Sequence, residues 1–416
     1  MRIGNRGEYV YCRWANKNQE KSDVNISQIS PIHWFQHGMA PTRAMLLDGV
    51  APSGCHRCSQ MEQHQKVSGR QRQLLKLGVT TDKFSETLLS SSWIPVLKHS
   101  HTHSGLTDQT PQDWQIDLGN FCNSACVFCS PHSSSRLATE YHKLGLIEQM
   151  PSRAWCDDKN LLDSFIQDLK KCNRITYLHF IGGETLITPA FRKILDSLVA
   201  QGLHRVITLG FTTNLTVWDQ ELVELLCQFH SINLGMSVEC FHPLNDYVRY
   251  GSDIGKVEQI AKKWLQVASQ QQWLTQLRVT PNVLSIWYLD TVYEFALQNR
   301  LAVESCNFLD HPQFMQISVL PQHMRLQVID RLQSWVDQNA VEAQPQIVNT
   351  RHLDFYHAQI VQDATSYLHY LREQPERSDL QTDLVKFLTT LENNRHNRIL
   401  DYLPEYEQFL RSAGYQ

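Results

Sequence analysis

From about residue 113 the chain alternates short β-rich apolar runs with stretches whose apolar positions recur at helical spacing. Six runs read as strands: Trp114–Leu118, Thr176–Ile181, Arg205–Phe211, Ile232–Val238, Leu277–Val283 and Val303–Phe308. Between them the pattern predicts helices over Ser133–Leu144, Pro189–Ala200, Gln220–Phe229, Gly255–Ser269 and Leu289–Gln298. Strand–helix alternation over roughly 200 residues argues for a parallel sheet with outer helices. Six such units make a partial (β/α)6 barrel rather than a complete eight-unit one. After Leu320-Pro321 the spacing stays helical: Met324–Val336, Ala364–Leu371, Leu380–Leu391 and Ile399–Leu410. The first 110 residues lack regular apolar periodicity and are rich in His, Gln and Ser. Ser92–Thr110 reads as a loop or linker. The expected organisation is an N-terminal module over 1–110, the partial barrel over 111–310 and a helical region over 311–416.

Composition narrows the class. The chain has 416 residues with 42% hydrophobic and 19% charged, a globular balance. A net charge of −4 argues against a bulk nucleic-acid binder. No signal peptide and no run of membrane-spanning length is evident, so the expected location is the cytoplasm. Thiols stay reduced there, and the eleven cysteines then read as metal ligands or buried thiols rather than disulfides.

Cys122, Cys126 and Cys129 follow the first barrel strand in the spacing C-x3-C-x2-C. Three thiolates this close can bind three irons of a [4Fe–4S] cubane, leaving the fourth iron open to a small molecule. A zinc site or three buried thiols are the alternatives. Further motifs fall at later strand ends. They are Gly182-Gly183-Glu184, Thr212-Thr213-Asn214, Ser237-Val238-Glu239 and a downstream Arg249-Tyr250-Gly251. Glycines allow close backbone approach, and Ser237 and Glu239 share one face of their strand.

This set, in this order, resembles the radical S-adenosylmethionine (radical SAM) superfamily. The resemblance implies that Cys122, Cys126 and Cys129 hold the cluster, and that SAM chelates the open iron and is cleaved reductively to a 5′-deoxyadenosyl radical. It implies a SAM pocket in which Glu184 accepts from the methionine ammonium. Thr213 and Asn214 would meet the carboxylate or ribose, and Ser237 and Glu239 the ribose. Arg249 is open between the SAM carboxylate and a surface ion pair. The family's GGE motif often continues with Pro, whereas Thr185 follows here.

The N-terminal module carries Cys12 after a hairpin-like Gly7–Tyr11, then Cys55-His56-Arg57-Cys58, with Glu62 and Ser68-Gly69-Arg70 beyond. This resembles the cysteine module of "twitch" radical SAM proteins, which implies an auxiliary Fe–S cluster. The usual twitch follows the barrel and has one more cysteine ahead of its hairpin; here the module precedes the barrel and shows three thiols. The rival is a Cys3His zinc site with His64, His99, His101 or His103 as fourth ligand. Residues Asn307–Pro321 resemble the segment after the barrel in twitch proteins. Cys156, Cys172, Cys227, Cys240 and Cys306 read as small core residues; Cys240 and Cys306, near strand ends, can face a substrate.

The function implied is a peptide-modifying enzyme of lyase or oxidoreductase type. It would act on a ribosomally made precursor peptide, by crosslinking, epimerisation or the splicease-type excision of a tyramine unit. A small peptide-recognition protein and an electron donor such as flavodoxin or ferredoxin are the implied partners. A small-molecule substrate, an RNA substrate and a non-catalytic iron–sulfur or zinc protein are the alternatives. The C-terminal helices can close the barrel mouth, dimerise or bind a substrate carrier.

Overall fold

The computed structural model describes residues 1–12, 15, 22–63, 68–76, 94–172, 174–304, 309, 311–340 and 353–416. Ten strands are assigned among them: β1 (Arg2–Ile3), β2 (Tyr9–Val10), β3 (Asp113–Asp117), β4 (Ala125–Cys126), β5 (Tyr177–Ile181), β6 (Thr208–Thr213), β7 (Ser231–Ser237), β8 (Arg249–Tyr250), β9 (Leu274–Arg278) and β10 (Ala302–Glu304). Eight of them form one sheet in the order β10-β9-β7-β6-β5-β3-β1-β2. From β3 to β10 every pairing is parallel. The expected six-strand arrangement is therefore observed, as an open ladder. Parallel strands are covered on both faces, and Leu178, Phe180, Leu209, Phe211, Ile232, Leu234 and Met236 are all fully buried.

Helices lie between the strands, at Lys159–Lys171, Pro189–Ala200, Gln220–Leu226, Ile254–Gln271 and Leu289–Asn299. Their starts are written locally. Asp158, Asp219 and Asp253 each accept a backbone N–H from the first turn of the helix that follows. Pro189 opens its helix at a position where its missing N–H costs nothing. The inner stripes Phe165/Ile166/Leu169 and Phe191/Ile194/Leu195/Leu198 join one continuous core with the strands.

Several elements differ from the sequence reading. That reading has no helix at Lys159–Lys171, although Asp158 and the spacing Leu162, Phe165, Ile166, Leu169 carry its signal. Part of the expected linker is helical, Ile94–Thr102. It packs on the helix Ala40–Leu47, where Arg43 donates to the carbonyls of Phe35, Gln36 and Gly105. Docking rather than periodicity makes that helix. The fifth strand ends at Arg278, earlier than expected, because Asn282 turns the chain by accepting from Leu284 and Ser285. The expected strand through Phe308 is seen as Ala302–Glu304; Cys306 and most of the Asn307–Asp310 stretch lie outside the described residues.

The N-terminal hairpin does more than precede the barrel. β1 pairs antiparallel with β2 and parallel with β3, so the first ten residues extend the barrel sheet at its first strand. At the other end of the chain, helices Gln322–Gln338 and Leu353–Glu373 pack on each other, the second of them beside β10. Tyr406 donates to the Val283 carbonyl and Tyr288 to Glu405, which sets the last segment over the loop that leaves β9. Among the described residues no helix is long and apolar enough to cross a membrane.

Candidate active site at the cysteine loop

The cysteine loop leaves β3 and is fixed by backbone bonds at several points. Asp117 accepts from Gly119, Val127 donates to Val248, and the loop segment β4 pairs antiparallel with β8, matching Cys126 to Arg249. Ser134 donates to the Ser124 carbonyl, and Cys122 N–H donates to Ser135 Oγ at 3.2 Å.

The Gly-Gly-Glu turn after β5 lies directly against this loop. Gly183 N–H donates to Gly119 and Glu184 N–H to Phe121, both at 2.8 Å. A Cβ on Gly182 would sit 2.8 Å from the Gly119 oxygen, and one on Gly183 would collide with the Phe121 carbonyl. The sequence reading gives these glycines to ligand approach. The structure uses them for approach of one backbone to another.

Glu184 is 2% exposed. One carboxylate oxygen accepts from Asn214 N–H at 2.6 Å and the other from Leu186 N–H at 3.1 Å. Burial pushes this carboxyl up to about 7, against the opposing pull of those N–H groups and the Thr213 hydroxyl. Asn214 turns its side-chain amide to the cysteine loop, donating to Asn123 at 2.8 Å and Ser124 at 3.1 Å. Asn123 and Ser124, two of the three residues between the first two cysteines, are neighbours of the site that the sequence reading misses; only their place inside the motif marks them.

Glu239, equally buried, accepts from Thr280 N–H at 2.8 Å and lies 3.7 Å from Arg249. Burial pushes it up to about 8, with Arg249 pulling the other way. Arg249 is not on a surface. It is buried, with Nη1 at 3.8 Å from the Cys126 sulfur and its guanidinium over the Phe128 ring. The surface-pair alternative is thereby removed. Ser237 ends β7 half-buried, opposite Arg278 of β9. The thiol-bearing loop, Glu184, Thr213, Asn214, Ser237, Glu239 and Arg249 thus gather around the strand ends of β3, β5, β6 and β7 and the β8 pairing that follows.

Among the described residues no disulfide joins any of the cysteines. Burial raises Cys126, pushes Cys122 up to about 11 and Cys129 up to about 12. Neighbouring thiols add to the rise at Cys122 and Cys129. Such thiols are protonated at neutral pH until a cation displaces the protons. Among the described residues no three His, Cys, Asp or Glu close round a single metal ion. The fit of a cluster rests on donor chemistry: three reduced thiols in mutual electrostatic contact in one anchored loop, beside a buried cation.

The thiols of the second set lie within electrostatic reach of one another. Cys55 ends the turn Ser53–Cys55 and Cys58 lies on the helix His56–Gln63. Burial raises the Cys55 thiol, Cys12 and Cys58 add to that rise, and Arg70 opposes it. Arg70 is itself forked onto Glu62. Of the zinc-ligand candidates, His99 and His103 stack on each other and His101 faces Asp48; His64 lies outside the described residues. Cys156, Cys172 and Cys240 are buried core thiols, and Cys240 is directed at the His242 carbonyl.

Residues 116–271 match the family model described as the radical SAM superfamily. No curated protein matches the chain. Among solved structures, Streptococcus suis SuiB bound to precursor peptide SuiA aligns at 14% identity, covering 78% of this chain and 66% of that one, with a TM-score of 0.40. SuiB without peptide gives 13%, 78%, 66% and 0.37. The anSMEcpe structure with bound AdoMet gives 16% identity, 55% and 61% coverage and 0.40. The chain spans about two thirds of the length of these proteins. The cysteine loop, the Gly-Gly-Glu turn and the β6 and β7 strand ends all fall inside the matched segment, so the part of the chain that is similar to the radical SAM superfamily is the part that carries the site.

Proposed function

We propose that this protein reductively cleaves S-adenosylmethionine and uses the resulting 5′-deoxyadenosyl radical to modify a ribosomally made peptide. The observation that carries the first half is the convergence of Cys122, Cys126 and Cys129 with Glu184, Asn214, Glu239 and Arg249. When bound there, a [4Fe–4S] cluster with one open iron supplies the electron and the site for SAM. The residues of the chain supply the rest. Cys122, Cys126 and Cys129 hold the cluster. Arg249, buried beside Cys126, offsets thiolate charge. Gly182 and Gly183 let the Glu184 turn lie on the loop, and Glu184 presents a carboxyl to an ammonium. Ser237 and Thr213 offer hydroxyls at adjacent strand ends. Glu239 anchors Arg249 and the Thr280 backbone, so its part in a ribose contact requires that pair to open.

The peptide substrate rests on the N-terminal trio. Cys12, Cys55 and Cys58 lie within electrostatic reach of one another, which supports an auxiliary Fe–S cluster of the twitch kind. Proteins with such modules often mature peptides. Within that class we favour hydrogen abstraction from an amino-acid carbon followed by backbone excision of a tyramine unit, crosslinking or epimerisation. A separate peptide-recognition protein and a flavodoxin or ferredoxin complete the system.

The deciding experiment reconstitutes the full chain with iron and sulfide, then adds dithionite and SAM. 5′-Deoxyadenosine should form with the natural sequence and fall to background with Cys126→Ala. Equal product from the variant refutes the assignment.

A further inference from the structure

One side chain of the C-terminal helix Gln381–Arg395 reaches the strand pair that carries the cysteine loop, and a second reaches the segment that leads into it. Arg395, with a side chain 2% exposed, forks onto Glu140 through Nε at 2.8 Å and Nη2 at 2.6 Å. The same Nη2 donates to the Ala125 carbonyl at 2.8 Å, one residue before Cys126. Its guanidinium lies 4.3 Å from the centre of the Tyr250 ring, and Tyr250 is the partner of Ala125 across the β4–β8 pairing. Asn394 adds a bond to Glu140 at 2.9 Å.

One turn earlier, buried Glu392 accepts from Tyr247 at 2.8 Å, from Tyr415 at 2.7 Å and from Ile399 N–H at 2.7 Å. Tyr247 lies two residues ahead of Arg249. Arg395 thus holds the β4 side of the pairing and Glu392 the approach to the β8 side. These bonds span up to 270 positions of sequence.

Stability alone does not explain this. A buried ion pair is often matched or exceeded by hydrophobic replacements of the same volume. A fork, by contrast, fixes direction, because planar guanidinium bonds tolerate little displacement. Here it fixes one carbonyl inside a metal-ligand loop and one ring beside Arg249.

We propose that Arg395 is a positioning residue for the cluster loop: with Glu140 below it and Glu392 beside it, it sets the β4–β8 pairing that places Cys126 against Arg249. This rests on the radical SAM reading above and extends it to the C-terminal region, which has no motif of its own. Lysine at 395 keeps the charge but not the fork.

The test is hydrogen exchange on the full chain before iron is added. In Arg395→Lys, amides in 120–132 and 247–251 should exchange about tenfold faster, the effect expected when a charge-assisted anchor is lost locally. Amides of β5 and β7 should exchange as in the natural sequence. Tyr247→Phe, which removes a single hydroxyl, should speed 244–250 if Arg395→Lys does not fold. After reconstitution, Arg395→Lys should also change the electron paramagnetic resonance line shape of the reduced cluster. Unchanged exchange in 120–132, or an equal rise across every sheet strand, overturns the proposal. A natural-sequence protein that makes no 5′-deoxyadenosine would instead sink the functional reading and leave the exchange result standing.

Discussion

The two cysteine trios are built on different principles. Cys122, Cys126 and Cys129 sit in a loop tied by backbone bonds to the turn after β5 and to β8, and side-chain bonds add the strand end of β6. A buried arginine and two buried carboxyls surround them. Cys12, Cys55 and Cys58 stand on a hairpin end, a turn and a short helix. Their nearby cation, Arg70, is more than half exposed and already paired with Glu62. The first site is held by the scaffold of the sheet. Among the described residues the second rests on short local elements, a turn and one helix of eight residues. Small cysteine modules commonly draw their folding energy from a bound metal.

Iron content gives the largest contrast. Cys55→Ala/Cys58→Ala should lose about four irons per chain if a cubane sits there, and one zinc if the site is Cys3His. Elemental analysis of the reconstituted protein separates these outcomes. The barrel site should keep its iron and its 5′-deoxyadenosine activity in that variant. Loss of both sites together would show that the trios are not independent and would break the comparison.

The cations come next. Arg249→Met removes a buried guanidinium that lies beside Cys126, Glu239 and the Phe128 ring, at a cost of about 1–3 kcal/mol. Arg70→Met breaks an exposed pair with Glu62 and should cost about 1 kcal/mol or less. Urea unfolding of the iron-free chain measures both. Equal losses would mean that the second site is as firmly built as the first.

A third effect tests the turn that locks the first loop. Gly183→Ala places a methyl against the Phe121 carbonyl, so one backbone must shift, at about 1–3 kcal/mol. Iodoacetamide should then label Cys122 faster than in the natural sequence. Normal labelling with full stability would show that the contact relaxes freely.

How much of this is legible in the sequence follows from range. The barrel strands are readable because fully covered parallel strands appear as apolar runs, as in Ile232–Val238. The helix Lys159–Lys171 is equally readable, from Asp158 and its apolar stripe. Ile94–Thr102 carries no such stripe and exists by docking on Arg43 and its neighbours. The cysteine spacing and the Gly-Gly-Glu turn mark residues that the fold does bring together. The partner of Arg249 is not readable, since sequence does not say whether an arginine is buried. Nor is the role of Asn214, whose amide reaches back to Asn123 and Ser124. Arg395 and Glu140 lie 255 positions apart, and no local pattern announces such a pair.

The smallest effect, and the one with the clearest sign, belongs to the two carboxyls that only the first trio has. Glu184 is pushed up to about 7 and Glu239 up to about 8, from an ordinary value of 4.5. Between these limits the folded chain binds more protons than the unfolded one, so stability falls as pH rises. The contribution is complete below about pH 4.5 and is lost through about pH 7 to 8. Asp163, Asp253 and Asp379, which hydrogen bonds and paired cations hold below the usual range, act in the opposite sense. Their contribution is present above about pH 4 and is lost only as pH falls below it, outside the window of the two glutamates. Each glutamate can therefore change stability by at most about 1.4 kcal/mol per pH unit in its own window. Urea unfolding of the iron-free chain between pH 5 and 8 should show the decline, and Glu239→Gln, which cannot titrate, should make it shallower. An equal slope in that variant would mean that Glu239 is ionised throughout, held so by Arg249, and that the first site keeps its charge pair at every pH at which it works.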